Sequence, residues 1–134
     1  MEFKIDVEQV RRKVPVTIFH IQGTVNIASA DTFEARARQA IRAGTRYLLL
    51  DFKDVDAIRS AGLRSIQVVY KTLMSIPPGA VTNRLTKSQY LKIANLSPLV
   101  HDVFEVTGFL RNIATYNDLE TALDSFGSAG VNEE

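Results

Sequence analysis

The chain has no cysteine and no long apolar run, and each absence excludes a class of protein. Without cysteine it has neither a disulfide framework nor a thiolate nucleophile. The opening residues, MEFKIDVEQVRRK, contain no apolar core of a signal peptide. No apolar run approaches the ~20 residues that span a bilayer. The sequence therefore predicts a cytoplasmic protein with no direct membrane contact.

An excess of charge of one sign is also lacking. The 16 basic and 15 acidic residues leave a net charge of +1, so there is no electrostatic case for direct nucleic-acid binding. With 134 residues and 46% hydrophobic content, the chain can bury roughly two thirds of its unfolded surface in one core. We expect one domain over residues 1–126 and a flexible C-terminal tail over 127–134.

The common motifs of catalysis and cofactor binding are absent. The chain has no phosphate loop ending in Lys-Ser or Lys-Thr, no Gly-x-Gly-x-x-Gly and no Gly-x-Ser-x-Gly. His20 and His101 have no cysteine or second histidine nearby, so both are interpreted as structural residues. Asp51, Asp54 and Asp56 lack the glycine and final glutamate of a calcium loop and are interpreted as a solvated turn. The sequence predicts no catalytic residue, metal or cofactor, and hence no enzyme.

Strand and helix patterns alternate along the chain, which predicts an α/β fold with a mostly parallel mixed sheet and about four helices. The alternation of Phe3, Ile5 and Val7 predicts a strand that pairs antiparallel with residues 14–21 across a turn at 8–13. The other predicted strands are 47–51, 90–94 and 113–116, with a loop over 23–28.

Polar residues before apolar stripes predict where the helices start. Glycine or proline predicts where they end, with Gly44, Pro77-Pro78-Gly79 and Gly108 as the stops. The predicted caps are Ser29 or Asp31 for the first helix, Ser97 followed by Pro98 for the third, and Asn117 with Glu120 for the last.

Residues 47–70, YLLLDFKDVDAIRSAGLRSIQVVY, are the most informative part of the chain. The apolar run 47–50 predicts a strand covered on both faces, and Asp51 ends that run. Apolar side chains then recur at helical spacing, so a helix begins near Ser60. Backbone N–H groups at a helix start lack partners, so the Ser60 hydroxyl can cap the helix, and a phosphate on it would be tolerated.

Residues 59–63, RSAGL, resemble the signature of the STAS domain, in which Asp-Ser-Ser or Asp-Ser-Ala precedes Gly-Leu at a helix start. Residues 18–33 and 91–123 are similar to further stretches of that family, in the same order. The resemblance implies a single STAS-like domain and a non-catalytic interaction switch, an anti-sigma factor antagonist. Its implied partner is an anti-sigma factor that is also a serine kinase. The resemblance leaves a homodimer open.

In STAS antagonists, the serine that matches Ser60 is phosphorylated by the partner, and only the unphosphorylated form binds it. The resemblance therefore implies that Ser60 is the phosphoacceptor. A phosphate would add about −1.5 to −2 charges to a small turn, so a closely packed partner would be repelled. The expected partner-binding residues around it are Asn26, Asp56, Arg59, Ala61, Gly62 and Arg64.

Two positions depart from the family pattern. Arg59 replaces the aspartate before the phosphoacceptor, and Asn26 replaces an acid in the loop after the second strand. Both changes remove negative charge beside Ser60, so Arg59 and Arg64 can instead stabilise a phosphate. The long connection 75–89 forms either an added partner surface or a mobile loop. These departures support a second hypothesis, a constitutive scaffold as in stressosome-like or transporter-associated STAS domains.

An enzymatic alternative is a receiver-like phosphoacceptor, because an apolar strand that ends in Asp51 can also present an acidic phosphate acceptor. Such a domain needs an acid pair after its first strand and a lysine after a late strand. This chain offers only Asp6 and Glu8, which precede an antiparallel strand, and Lys92 lies inside its strand. The sequence therefore disfavours this alternative.

Overall fold

Five strands form one mixed sheet, and their order in the sheet follows their order along the chain. The computed structural model describes residues 2–76, 89–108 and 113–127. The elements are β1 (Lys4–Arg11), β2 (Pro15–Val25), α1 (Ile27–Arg42), β3 (Leu48–Ile58), α2 (Ser60–Ser75), β4 (Leu91–Ala94), α3 (Pro98–Thr107), β5 (Ala114–Tyr116) and α4 (Leu119–Ser125). β1 and β2 are antiparallel, and the other neighbouring pairs are parallel. The predicted fold class, with its antiparallel N-terminal edge, is confirmed.

The hairpin of β1 and β2 is longer than predicted. Residues 8–11 belong to β1 and pair with residues 15–18, so the predicted turn at 8–13 is wrong over most of its length. β1 is an edge strand whose side chains are mostly exposed, so backbone hydrogen bonds extend it beyond the alternation of Phe3, Ile5 and Val7. β2 likewise continues to Val25, where the sequence predicted a loop over 23–28.

β3 also extends beyond its predicted end. It continues past Asp51 to Ile58 and pairs with β2 as far as Val25. Asp51, Asp54 and Asp56 therefore all lie on a strand, with Asp51 buried, and their interpretation as a solvated turn was wrong. Register shifts between β2 and β3 accompany this extension. The buried residues of the extension are spaced three apart, which hides the strand from a period-two search: Phe52, Val55 and Ile58.

The sheet buries an apolar cluster on each face. The larger cluster contains side chains from α1, α2 and α3, and the smaller one contains side chains from α4. Successive residues of β3 alternate between them, because Leu48 and Leu50 join the larger cluster while Leu49 joins the smaller. The result is a helix–sheet–helix arrangement. In the described ranges, no helix has both the length and the apolarity needed to cross a membrane.

The ends of α3 follow the predicted capping chemistry. Ser97 is the N-cap, and its hydroxyl accepts a hydrogen bond from the backbone N–H of Val100 at 3.3 Å. Pro98 occupies the first helical position. Gly108 closes the helix in the left-handed conformation, with φ of 80°. These three predictions are confirmed.

The starts of α1 and α4 are displaced from the predicted positions. Asn26, rather than Ser29 or Asp31, caps α1. Asp118, rather than Asn117, caps α4, and its carboxylate accepts from a backbone N–H three residues later at 2.7 Å. Several polar residues lie near each helix start, so residue type alone does not identify the cap.

Two sequence predictions fall largely outside the described residues. The connection 75–89 is described only at its two ends, so the proposed stop at Pro77-Pro78-Gly79 lies outside as well. Of the predicted tail 127–134, only the first residue is described. The preceding helix α2 does run from Ser60 to Ser75, as predicted.

Gly62 allows the first turn of α2 to approach the sheet closely. A Cβ atom at this position would lie 2.7 Å from Ile58 Cγ1 and 2.7 Å from Val25 Cγ1. These two residues end β3 and β2, so the contact sets the height of Ser60 above both strand ends. A bare Cα is required for this packing.

Gly62→Ala should therefore destabilise the fold. Crowding against Val25 and Ile58 outweighs the higher helix propensity of alanine, and we expect the free energy of unfolding to fall by about 1–2 kcal/mol in urea titrations. The matched control is Ser60→Ala, two residues away on the exposed surface, which should change it by less than about 0.5 kcal/mol. Equal stability of Gly62→Ala and the wild type would contradict the close contact.

Candidate functional site

The starts of α1 and α2 lie side by side at the carboxyl ends of β2 and β3. Val25 and Ile58 are register partners at the ends of these parallel strands. The backbone N–H of Arg59 donates to the carbonyl of Val25 with an N···O distance of 2.8 Å. Residues 26–28 and 59–64 therefore form one surface, which we call the helix-start surface.

Ser60 is the first residue of α2 and is exposed to solvent. The N-cap is Arg59, which makes no side-chain capping hydrogen bond. The prediction that Ser60 caps the helix is wrong, because its hydroxyl lies one residue inside the helix. Among the hydrogen bonds of the described residues, none involves the Ser60 hydroxyl, so it stands open to solvent.

Asn26 closes the start of α1 through a reciprocal capping box. Its side-chain Oδ1 accepts from the backbone N–H of Ser29 at 3.1 Å, and its own backbone N–H donates to Ser29 Oγ at 2.8 Å. The same hydroxyl donates to the carbonyl of Thr24 at 2.7 Å. The Asn26 side chain is therefore engaged in holding the start of α1, and the residue remains exposed.

The helix-start surface carries positive side chains. Arg59 and Arg64 are both exposed, and neither takes part in an ion pair within the described ranges. Arg64 lies four residues after Ser60, so the two side chains share one face of α2. Neither α1 nor α2 has an acidic residue in its first turn. Asp56, near the end of β3, is the exposed acid closest to Ser60 in the sequence.

The remaining expected site residues differ in how much they are exposed. Ala61 is partly buried against the larger cluster, and Gly62 is buried. Neither carries a side chain larger than a methyl group, so both keep the surface low around Ser60. The sequence missed Ile27, which is 76% exposed at the first position of α1. An apolar residue directly after a helix cap and outside the apolar stripe is the signal that could have found it.

A second polar cluster lies on the other side of the sheet, where three strands meet. His20 on β2 contacts Asp51 on β3 through Nδ1 at 2.7 Å and Glu8 on β1 through Nε2 at 2.8 Å. Asp51 Oδ1 also accepts from the side chain of Asn95 at 2.9 Å and from the backbone N–H of Lys53 at 3.1 Å. Both oxygens of this buried carboxylate are therefore occupied. This geometry argues against Asp51 as a phosphate acceptor.

The contacts of His20 favour its protonated form. An ionised carboxylate only accepts hydrogen bonds, so both contacts are satisfied together only when both ring nitrogens carry protons. Burial is the largest single influence and acts to lower the pKa of His20. The hydrogen bonds and charges of Glu8 and Asp51 together outweigh it, so the pKa lies above its ordinary 6.5. The cluster also borders a cleft of about 590 Å³ that Asp6 and Asp54 help to line.

Three potential metal ligands lie on α3, where the companions of His101 are two carboxylates rather than cysteine or a second histidine. His101, Asp102 and Glu105 each place one ligand atom within 4.8 Å of the others. Asp102 and Glu105 are exposed and His101 is partly exposed, so these groups are solvated rather than enclosed. All three belong to α3, whereas the helix-start surface is formed by residues 26–28 and 59–64.

The chain matches known proteins in both sequence and fold. The family model of the STAS domain matches residues 6–76, which is more than half of the chain. A relative in Bordetella bronchiseptica, BtrV, carries the provisional name anti-sigma factor antagonist. It is 34% identical over 109 residues, which cover 81% of this chain and 84% of BtrV.

Solved structures with the same fold have lower sequence identity. An anti-sigma factor antagonist from Mycobacterium paratuberculosis has a TM-score of 0.72 at 16% identity, covering 91% of this chain and 92% of that one. The Bacillus cell fate determinant SpoIIAA, solved in its phosphorylated form, has a TM-score of 0.64 at 17% identity, covering 90% of this chain and 97% of its own. At these identities the likeness shows the fold alone.

Removing the cap of α1 should destabilise the helix-start surface. Asn26→Ala deletes the acceptor for the Ser29 N–H, and we expect the free energy of unfolding to fall by about 1 kcal/mol in urea titrations. Asn26→Asp is the matched control, because aspartate caps equally well and its charge suits a helix N-terminus. An Asn26→Asp variant as unstable as Asn26→Ala would contradict the capping role.

The stability of the protein should depend on the protonation of His20. Because the folded-state pKa is raised above 6.5, the stabilisation is fully present below pH 6.5 and is lost as the pH rises through the raised pKa. As the pH rises above 6.5, we expect the free energy of unfolding of the wild type, measured in urea titrations, to fall relative to that of His20→Gln. Glu8→Gln should lose part of this dependence. Parallel pH profiles of stability for the wild type and His20→Gln would contradict the dependence on His20 protonation.

Proposed function

Because the chain belongs to the STAS domain family, we propose that it is an anti-sigma factor antagonist that acts as a non-catalytic switch in transcription regulation. In this proposal it works in the cytoplasm and binds an anti-sigma factor that is also a serine kinase. Phosphorylation of Ser60 then releases that partner. The observation that carries the proposal is the exposed hydroxyl of Ser60, free of hydrogen bonds in the described structure, at the start of α2.

The geometry around Ser60 suits docking of another protein. Gly62 and Ala61 keep the turn low, so a partner can approach the hydroxyl closely. Ile27 is exposed on the neighbouring helix start and offers an apolar anchor. The expected binding residues that accompany this anchor are polar and exposed: Asn26, Asp56, Arg59 and Arg64.

A phosphate on Ser60 would act locally. It adds about −1.5 to −2 charges and three acceptor oxygens to a surface that a partner must cover. A docked partner would meet both its bulk and the need to solvate its charge. The unbonded hydroxyl means that no existing hydrogen bond of the described domain is lost on modification, so binding changes without refolding.

A second candidate function is a constitutive scaffold in a larger STAS assembly. It is favoured by Arg59 and Asn26, which replace the acids expected beside the phosphoacceptor. If those acids orient the hydroxyl or the metal ion of a nucleotide for a kinase, Ser60 would be a poor substrate. This function predicts no phosphate on Ser60 with the cognate kinase and recovery of the chain in a large, stable assembly.

Substitutions at Ser60 test the switch. We expect Ser60→Ala to bind the partner within about threefold of the wild type, since the hydroxyl makes no contact within the domain. Ser60→Asp should raise the Kd at least about tenfold, which corresponds to about 1.4 kcal/mol. The measurement is isothermal titration calorimetry with the purified anti-sigma factor.

The partner for this titration comes from affinity purification of the wild-type chain in native cells, and mass spectrometry of the same sample reports phosphate on Ser60. Thr72→Asp adds the same charge farther along the exposed face of α2 and serves as the control. Equal affinities of Ser60→Asp and the wild type would remove the basis for the switch. Acid-labile phosphate on Asp51 would instead support the receiver-like alternative.

A further inference from the structure

Arg59 and Arg64 flank Ser60 without a counter-charge of their own. Both side chains are exposed, and no ion pair of the described residues involves either. The first turns of α1 and α2 lack acids, and the positive ends of both helix dipoles meet at this surface. A pair of exposed cationic residues therefore flanks Ser60 along the chain.

We propose that Arg59 and Arg64 bind carboxylates on the partner in the unphosphorylated state. In the phosphorylated state they bind the phosphate of Ser60 instead. This inference rests on the function proposed above. It specifies the partner as a protein whose docking surface carries acidic side chains beside an apolar pocket for Ile27. It also specifies the means of release, which is competition of the phosphate with the partner for the same two guanidinium groups.

The chemistry of the guanidinium group supports both states. Its planar set of donors matches the two oxygens of a carboxylate and the oxygens of a phosphate, and both pairings can be bidentate. Arg59 adjoins Ser60, and Arg64 lies one helical turn farther along the same face. A phosphate on Ser60 is therefore held near both groups by the chain itself.

Competition favours the phosphate for two reasons. The phosphate carries about −1.5 to −2 charges, against −1 for each partner carboxylate. It is also tethered, so its contact with the arginines is intramolecular and has a high effective concentration. Once the arginines are neutralised, the partner's carboxylates face a negative group and are repelled.

The first experiment needs no partner. Phosphoserine is installed at position 60 during translation, and the second pKa of its phosphate is measured by ³¹P NMR as a function of pH. Cationic neighbours favour the dianion, so we expect this pKa to be lower in the wild type than in Arg59→Gln/Arg64→Gln by about half a unit. The control Arg42→Gln/Lys71→Gln removes the same charge from exposed positions elsewhere on α1 and α2 and should match the wild type.

The control positions are distant enough to be informative. Arg42 ends α1, and its Cα lies roughly 22 Å along the helix from the start at Ile27. That separation exceeds the Debye length of about 8 Å at physiological ionic strength. Identical phosphate pKa values in all three proteins would overturn the role of the arginines in holding the phosphate.

The second experiment measures binding of the unphosphorylated chain to the purified anti-sigma factor. Arg59→Gln/Arg64→Gln should raise the Kd about tenfold and flatten its dependence on salt, whereas Arg42→Gln/Lys71→Gln should stay within about twofold. Wild-type affinity and salt dependence in the Arg59→Gln/Arg64→Gln variant would overturn the carboxylate-binding role. Circular dichroism of each variant confirms that it is folded.

The outcomes separate this inference from the function on which it rests. If phosphorylation of Ser60 weakens binding but the arginine variants behave as the wild type in both experiments, the switch stands and the arginine mechanism fails. If phosphorylated and unphosphorylated chains bind the partner equally, the switch itself fails, whatever the arginines do.

Discussion

The parallel pairing of β2 with β3 as far as Val25 and Ile58 is the interaction on which the helix-start surface depends. Because both strands end at this register pair, the helices that follow them begin beside each other. Gly62 then packs on both strand ends and sets the position of Ser60. If β3 ended at Asp51, Ser60 would follow a long loop, and no backbone contact would fix its distance from Asn26.

The features predicted correctly from the sequence are those that local chemistry decides. The apolar stripe of α2 and the Ser97, Pro98 and Gly108 signals of α3 lie within single elements, so a few neighbouring residues suffice to predict them. The ends of β1, β2 and β3 were predicted wrongly, because a strand persists as long as a neighbour supplies backbone hydrogen bonds. Backbone pairing does not require a regular apolar pattern, so the sequence does not reveal it in an exposed edge strand or in a strand with irregularly spaced buried residues.

The candidate site was only partly predictable for a related reason. The position of Ser60 followed from the pattern around it, but its lack of a hydrogen bond depends on Arg59 rather than Ser60 being the N-cap. The cluster of His20, Asp51 and Asn95 joins residues from three distant segments, which only the sheet register brings together. The spacing of residues along the chain does not predict such contacts.

The contacts beneath the surface bear on how a change at Ser60 can act. The buried Asp51 links β2, β3 and the segment after β4, and Gly62 is tightly packed against both strand ends. Because Gly62 is closely packed against the strand ends, we expect a modification at Ser60 to leave the underlying strands in place.

Screening by salt limits the distance over which a phosphate on Ser60 can act. At physiological ionic strength, the field of an exposed phosphate falls off over about 8 Å, which is about one and a half helical turns along α2. A charge at Ser60 can act strongly only on groups in direct reach, namely Arg59, Arg64 and whatever a partner places against them. A switch built on this surface must therefore work by contact, so the charge of the residues that flank Ser60 decides which partners it can release.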